Sequence, residues 1–192
     1  HEFMAPFGDL CDRLAATDAH TFRTHEVKHT LIGLFRDLRG IASAANSRRT
    51  YGQLFDWMYP RHTGLLLRAM ENFADDPQVS TPLLKFVAEF VLNKTQRLTF
   101  EPSSVNGILL FREISKLIVA YGQRIMQMPP PKPGSSEAYP LRFKGIWIAL
   151  TVLMRALSGN YVNFGVFELY GDNALKDTLA VAIQLSLYMP LE

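Results

Sequence analysis

The chain has 192 residues, 48% of them apolar and 20% charged, with 20 Lys and Arg against 18 Asp and Glu. This is the composition of a folded protein, and it excludes a disordered one. A net charge of +2 is too small to argue for nucleic acid or an anionic membrane as partner. The single Cys11 rules out an internal disulfide framework and a multi-thiolate metal site.

No run of about 18 uncharged apolar residues exists to span a membrane. No signal peptide opens the chain, so a cytosolic or nuclear protein fits best. His1, Glu2 and Phe3 precede Met4 and read as the remnant of an expression tag. Leu191 and Glu192 read as a second expression scar. That leaves residues 4–190 as one segment, with loops near residues 93–103 and 129–140.

In chain order, residues 5–19 hold a short helix with Phe7, Leu10, Leu14 and Ala15 on one face. From Thr24, a predicted N-cap, apolar residues recur every three or four positions. Val27, Leu31, Leu34, Phe35, Leu38, Ile41 and Ala45 give about six turns of helix. Gly40 weakens that helix locally and leaves room for a neighbouring backbone. Residues 46–49 are a polar break, and residues 50–59 resume a helix that ends at Pro60. Leu65, Leu66, Leu67, Met70 and Phe73 mark the next helix.

Asp75-Asp76-Pro77 is a predicted turn. Thr81-Pro82 is a predicted N-cap followed by proline at the first helical position. A strongly apolar helix follows through Leu92. After the loop comes a helix over residues 104–128, with Ile108, Phe111, Ile114, Leu117, Ile118, Tyr121 and Ile125 inward. Residues 129–135, rich in proline, are read as an exposed polyproline-like loop. Residues 141–157 are helical, and Gly159 is a predicted left-handed cap. A short helix over residues 162–169 and a last one over residues 172–188 complete the chain. Trp57, Trp147, Phe111 and Phe86 are the predicted core aromatics. Asn160, Asn163 and Asn106 read as helix caps or turn residues.

The chain is therefore all-α, with seven to nine helices and no sheet. Broad apolar faces fit stacked antiparallel helix pairs, the signature of loose HEAT- or armadillo-like repeats in an α-solenoid. Residues 62–75 with 82–93, and 104–128 with 141–157, are the predicted pairs. An irregular all-helical globule fits the same pattern.

His25-Glu26-Val27-Lys28-His29 matches the zinc metallopeptidase pattern of two histidines four apart with an intervening Glu. The longer extension fails, because Ile32 and Phe35 stand where Gly and His are required. A solvated helix start is the preferred reading, so no metal is expected. His25 and His29 remain the only metal candidates. Cys11 lacks a base oriented toward it and reads as an idle thiol. No Gly-rich phosphate loop is present, and neither a catalytic residue nor a cofactor site is expected.

Charge is more informative. Residues 94–155 hold nine basic residues against Glu101, Glu113 and Glu137, while the residues beyond are net acidic. Arg112, Lys116, Arg142, Lys144 and Arg155 are the candidate contacts of a basic ridge facing an acidic protein surface. Ordinary solvation with local salt bridges explains the same residues. A nucleic-acid groove would want more charge, interleaved with exposed aromatics, and is not expected.

Long ordered strings also look familiar. Pro82-Leu83-Leu84-Lys85-Phe86-Val87-Ala88-Glu89-Phe90-Val91 runs into Asn93-Lys94-Thr95-Gln96-Arg97-Leu98-Thr99-Phe100. Ser103-Ser104-Val105-Asn106-Gly107-Ile108-Leu109-Leu110-Phe111-Arg112-Glu113 follows, and later Leu157-Ser158-Gly159-Asn160-Tyr161-Val162-Asn163-Phe164-Gly165-Val166-Phe167 and Leu169-Tyr170-Gly171-Asp172. With Asp37-Leu38-Arg39-Gly40-Ile41-Ala42, these closely resemble the middle of the exportin-7 family, Ran-binding nuclear transport receptors of the importin-beta (karyopherin) superfamily. The resemblance covers roughly residues 22–189.

It implies a curved stack of HEAT repeats that catalyses nothing. It implies as partners Ran in its GTP form, protein cargo and Phe-Gly nucleoporins, with shuttling between nucleus and cytoplasm. The main Ran site of the superfamily lies in the first repeats, which this segment does not include. The remaining alternatives are a generic HEAT scaffold and, remotely, a zinc peptidase built on His25 and His29. Helix pairs that lack a stacked neighbour predict exposed apolar residues near 175–189 and self-association.

Overall fold

The computed structural model describes residues 2–132 and 134–189. Readings that fall on His1, Pro133, Pro190, Leu191 and Glu192 lie outside the described residues. Among the described residues ten α-helices follow one another: α1 (Ala5–Ala15), α2 (Ala19–Phe22), α3 (His25–Ala44), α4 (Arg48–Met58), α5 (Thr63–Phe73), α6 (Pro77–Phe90), α7 (Asn106–Gln127), α8 (Lys144–Ser158), α9 (Gly165–Leu169) and α10 (Ala174–Ser186). Short 3-10 turns occupy Glu2–Met4 and Lys94–Gln96, and a π-helical turn, Tyr139–Phe143, leads into α8. No strand occurs among the described residues.

The helix starts follow local chemistry. The Thr24 hydroxyl accepts from the Val27 N–H at the start of α3. Ser47 and Thr50 cap each other's backbone at the start of α4. The start of α6 corrects the sequence reading. Asp76, not Thr81, is the N-cap and accepts from the Gln78 N–H at 3.0 Å, with Pro77 at the first helical position. Pro82 therefore lies inside the helix. It has no N–H to offer the Gln78 carbonyl, four residues before it.

The helices form two layers. In one, α6 packs between α3 and α8; in the other, α7 packs between α5 and α10, with α1 beside α5. The layers meet through α5–α6, α7–α8 and α8–α10, so both predicted pairs are in contact. This is a HEAT-repeat-like α-solenoid segment of antiparallel helix pairs. The central helix α6 buries Leu83, Leu84, Phe86, Val87, Ala88 and Phe90, which cover most of its circumference. That is why its sequence is apolar on more than one face.

Phe86 and Phe111 lie in the core, as the pattern predicts, and Trp57 is half-buried. Trp147 is a correction, since it stands on the outer side of α8 and is 61% exposed. Leu179, Ile183 and Leu187 are exposed on and just beyond α10, as expected for the stretch near 175–189. Gly40 is also a correction. No neighbouring heavy atom lies within 4 Å of where its Cβ would stand, so no backbone approaches it.

Candidate functional site

The functional surface is set by how α6 is held, and its C-terminal end comes first. Its last carbonyls have no intrahelical donors. Side chains from four other places supply them. Arg155 Nη1 donates to Ala88 O at 2.8 Å, Tyr51 Oη to Phe90 O at 2.6 Å, and Tyr161 Oη to Val91 O at 2.8 Å. Arg97 Nε donates to Leu92 O at 3.0 Å and its Nη2 to Glu89 O. Arg97 Nη1 also reaches Ala45 O at 2.8 Å, and Ala42 O, at the end of α3. Burial pushes the phenols of Tyr51 and Tyr161 well above their ordinary range and so keeps them neutral donors.

Tyr161 is itself wedged between two glycines. A Cβ on Gly159 would stand 2.2 Å from its ring, and one on Gly107 would stand 1.9 Å from its carbonyl oxygen. Gly159 is thus present for space. Its φ is −75°, and the left-handed residue after α8 is Asn160, with φ 59°, which corrects the sequence reading of that cap. Asn163 Oδ1 accepts from the Gly165 N–H at the start of α9. Asn106 caps nothing through its side chain; Ser104 Oγ accepts from its N–H instead.

A polar hollow of about 510 Å3 lies between residues 93–104 and 159–163. Its best-placed amide, Asn93, is already engaged: Nδ2 donates to Gly159 O at 2.6 Å and Oδ1 accepts from the Leu98 N–H. That hollow is architectural.

The N-terminal half of α6 is different. It floors an open groove of about 400 Å3 between α3 and α8. Arg36 and Arg39 enter from α3, three apart and therefore on one helix face. Lys85 rises from α6 and Lys144 from the start of α8. Pro77, Pro82, Pro140 and Leu141 supply an apolar base between the cations. No Asp or Glu lines the groove, and none of the four cations makes an ion pair among the described residues. Asp37, next to Arg36 in sequence, makes no ion pair among the described residues; Glu89 is taken by Lys94 at 2.8 Å, and Asp76 by Lys28 at 2.6 Å and by its own cap. Partial burial, then the charges of Lys144, Arg39 and Arg36, lower the Lys85 ammonium from its ordinary value.

The sequence-derived contact residues do not form one ridge. Arg112 pairs with Asp172 at 3.1 Å and Lys116 with Glu113 at 2.9 Å. Arg155 caps α6. Arg142 is buried and donates from Nη2 to Pro129 O at 3.1 Å. Of the five, Lys144 alone lines the groove. Arg36, Arg39 and Lys85 were absent from the sequence reading. The signals available were the i, i+3 arginines on the polar face of α3 and a lone lysine within an apolar run.

His25 and His29 are exposed, with ring centroids 6.5 Å apart. No group of three His, Cys, Asp or Glu able to hold a metal occurs among the described residues. Cys11 is buried, and burial raises its thiol to about 11.

These features define an α-solenoid segment. No family model and no solved structure matches the chain significantly. It is similar to exportin-7-B of Xenopus laevis, 49% identical over 191 residues, covering 98% of this chain and 17% of that protein. It is similar to Ran-binding protein 17 of Mus musculus, 45% identical over 185 residues, covering 96% of this chain and 17% of that protein. Exportin-7 of Dictyostelium discoideum is 41% identical over 192 residues, covering 100% of this chain and 19% of that protein. The chain is homologous to members of the exportin-7 and Ran-binding protein family. It spans about a sixth of the length of these relatives.

Proposed function

We propose that the chain is a non-catalytic section of a nuclear transport receptor that contributes a helical-repeat surface to Ran-GTP-dependent carriage of cargo through the nuclear pore. The observation carrying this is similarity along essentially the whole chain to proteins named for export and for Ran binding. The whole receptor engages Ran in its GTP form, protein cargo and Phe-Gly nucleoporins, and moves between nucleus and cytoplasm. Arg112, Lys116, Arg142, Lys144 and Arg155 remain the contact set proposed from sequence, with Lys144 the member that faces an open groove.

The test is calorimetric titration with Ran loaded with a non-hydrolysable GTP analogue or with GDP. It is run on this chain and on a chimera in which it replaces the matching segment of the frog protein. A chimera that prefers the GTP form is expected. A folded chimera that binds neither form overturns the reading. Equal binding of both forms would favour a generic HEAT scaffold, which the same fold supports.

A further inference from the structure

The groove between α3, α6 and α8 carries four positive charges with no internal partner, set on an apolar base. We propose that it is the docking site of an extended acidic segment of a protein partner, whose carboxylates meet Arg36, Arg39, Lys85 and Lys144 while its backbone crosses the three helices. This rests on the reading of the chain as a protein-binding solenoid; it does not depend on which GTPase or cargo the receptor serves.

Three arguments converge. The first is charge. Holding four like charges around one groove costs free energy that an incoming anion recovers, and most of the chain's other arginines and lysines already have partners. The N-terminus of α6 opens at the same end of the groove, and its dipole adds to the positive field.

The second is shape. The cations come from three neighbouring helices, so they are arrayed across the layer. Helix axes packed about 9 Å apart place the outer two about 18 Å from each other. An extended chain covers that in about six residues at ~3.3 Å each.

The third is lining. The groove offers no Phe, Tyr or Trp on which bases could stack, which disfavours single-stranded nucleic acid. The prolines and Leu141 instead give alternate side chains of an extended peptide an apolar surface.

The test is fluorescence anisotropy with a labelled peptide of alternating Glu and Ala, about eight residues long so that it covers that span with a residue to spare at each end. The controls are its Gln-for-Glu counterpart and a labelled single-stranded RNA of similar length. Binding of the Glu peptide is expected, weakening about tenfold or more as salt is raised several-fold. The double variant Lys85→Gln/Lys144→Gln is expected to weaken it at least about tenfold, and Arg39→Gln severalfold. Lys85 and Lys144 pair with no acid among the described residues, so their neutralisation leaves the fold intact; a circular-dichroism melt verifies this.

Equal binding of the Gln peptide, unchanged affinity in the double variant, or tighter binding of the RNA overturns the proposal. A chimera that binds Ran-GTP beside a groove that ignores the Glu peptide refutes this inference alone. Peptide binding without any Ran binding refutes the transport reading alone.

Discussion

Replacing Arg97 with Ala tests the central structural claim, that one buried guanidinium fastens two neighbouring helices at their C-terminal ends. Arg97 is 1% exposed. It donates to Leu92 O, Glu89 O, Ala45 O and Ala42 O, and lies 5.1 Å from the centroid of the Tyr51 ring. Glu89 O keeps a second donor, the Leu92 N–H at 3.3 Å. The carbonyls of Ala42, Ala45 and Leu92 have no other, and each unsatisfied buried acceptor costs about 1–3 kcal/mol. Water entering the emptied space restores part of this. The expected loss is therefore about 3–5 kcal/mol, the scale for breaking a buried charged network.

Arg97→Lys keeps the charge but loses the planar fork, and is expected to cost about 2 kcal/mol. Urea unfolding followed by circular dichroism reads both. With a slope of about 2 kcal/mol per molar urea, the Ala variant shifts the midpoint down by about 2 M. If Ala prevents folding, the Lys variant and Tyr51→Phe still give ordered losses. An Ala variant within about 1 kcal/mol of the parent, or one equal to Lys, refutes the reasoning.

Gly107→Ala drives a methyl group to 1.9 Å from Tyr161 O and is expected to cost at least about 1–3 kcal/mol. Gly33→Ala, with nothing within 4 Å on an exposed side of α3, is expected to stabilise by up to about 1 kcal/mol; the same urea titration compares them. Burial holds His62 below its ordinary value of 6.5, and Arg61 adds to this, while Asp12 pulls the other way. Below pH 6.5 the unfolded chain therefore binds more protons than the folded one. The stability His62 contributes is full above pH 6.5 and is lost as pH falls toward its folded value, at up to about 1.4 kcal/mol per pH unit. Urea midpoints across pH 7.5 to 5.5, with His62→Gln as the flattened control, measure it. Ile183, 65% exposed on α10, is expected to drive self-association at high concentration, and sedimentation velocity should then show a shift toward monomer in Ile183→Glu.

Most of the fold is legible in the sequence, because the helices carry their own periodicity and caps. The stripe from Val27 to Ala45 and the Thr24 hydroxyl define α3 within a residue of its observed ends. The misreadings come where two signals compete locally. Asp76-Pro77 and Thr81-Pro82 both look like helix starts, and the first one operates because its Asp reaches the Gln78 N–H. Gly159 looks like a left-handed cap, yet it is needed for the Tyr161 ring, which arrives from two residues further on and whose role is visible only once its hydroxyl is seen on Val91. Trp147 sits within an apolar run, but its own helix turns it outward. The candidate site was less legible. A count of charge along the chain groups residues adjacent in sequence, while the groove gathers Arg36, Arg39, Lys85 and Lys144 from three helices. The same count placed in the ridge Arg142, which is buried, and Arg155, which caps α6.

The two ends of α6 show why those cations divide as they do. At its C-terminus the partial negative charge and unpaired carbonyls of a helix end favour cations. Arg97 and Arg155 answer them with geometry that only guanidinium provides, several donors in a fixed plane. At the N-terminus the helix presents positive potential, and the charges that structure itself requires there are acidic. Asp76 meets that requirement, and Lys28 balances Asp76. Arg36, Arg39, Lys85 and Lys144 are then surplus to the fold, since no acid among the described residues pairs with them. Arg97 and Arg155 have a structural reason for their positions; these four lack one, and an acidic partner supplies it. Neutralising Lys85 and Lys144 should therefore leave stability unchanged or slightly raised, whereas neutralising Arg97 should lower it. That opposition of sign separates cations that build the solenoid from cations held ready for binding.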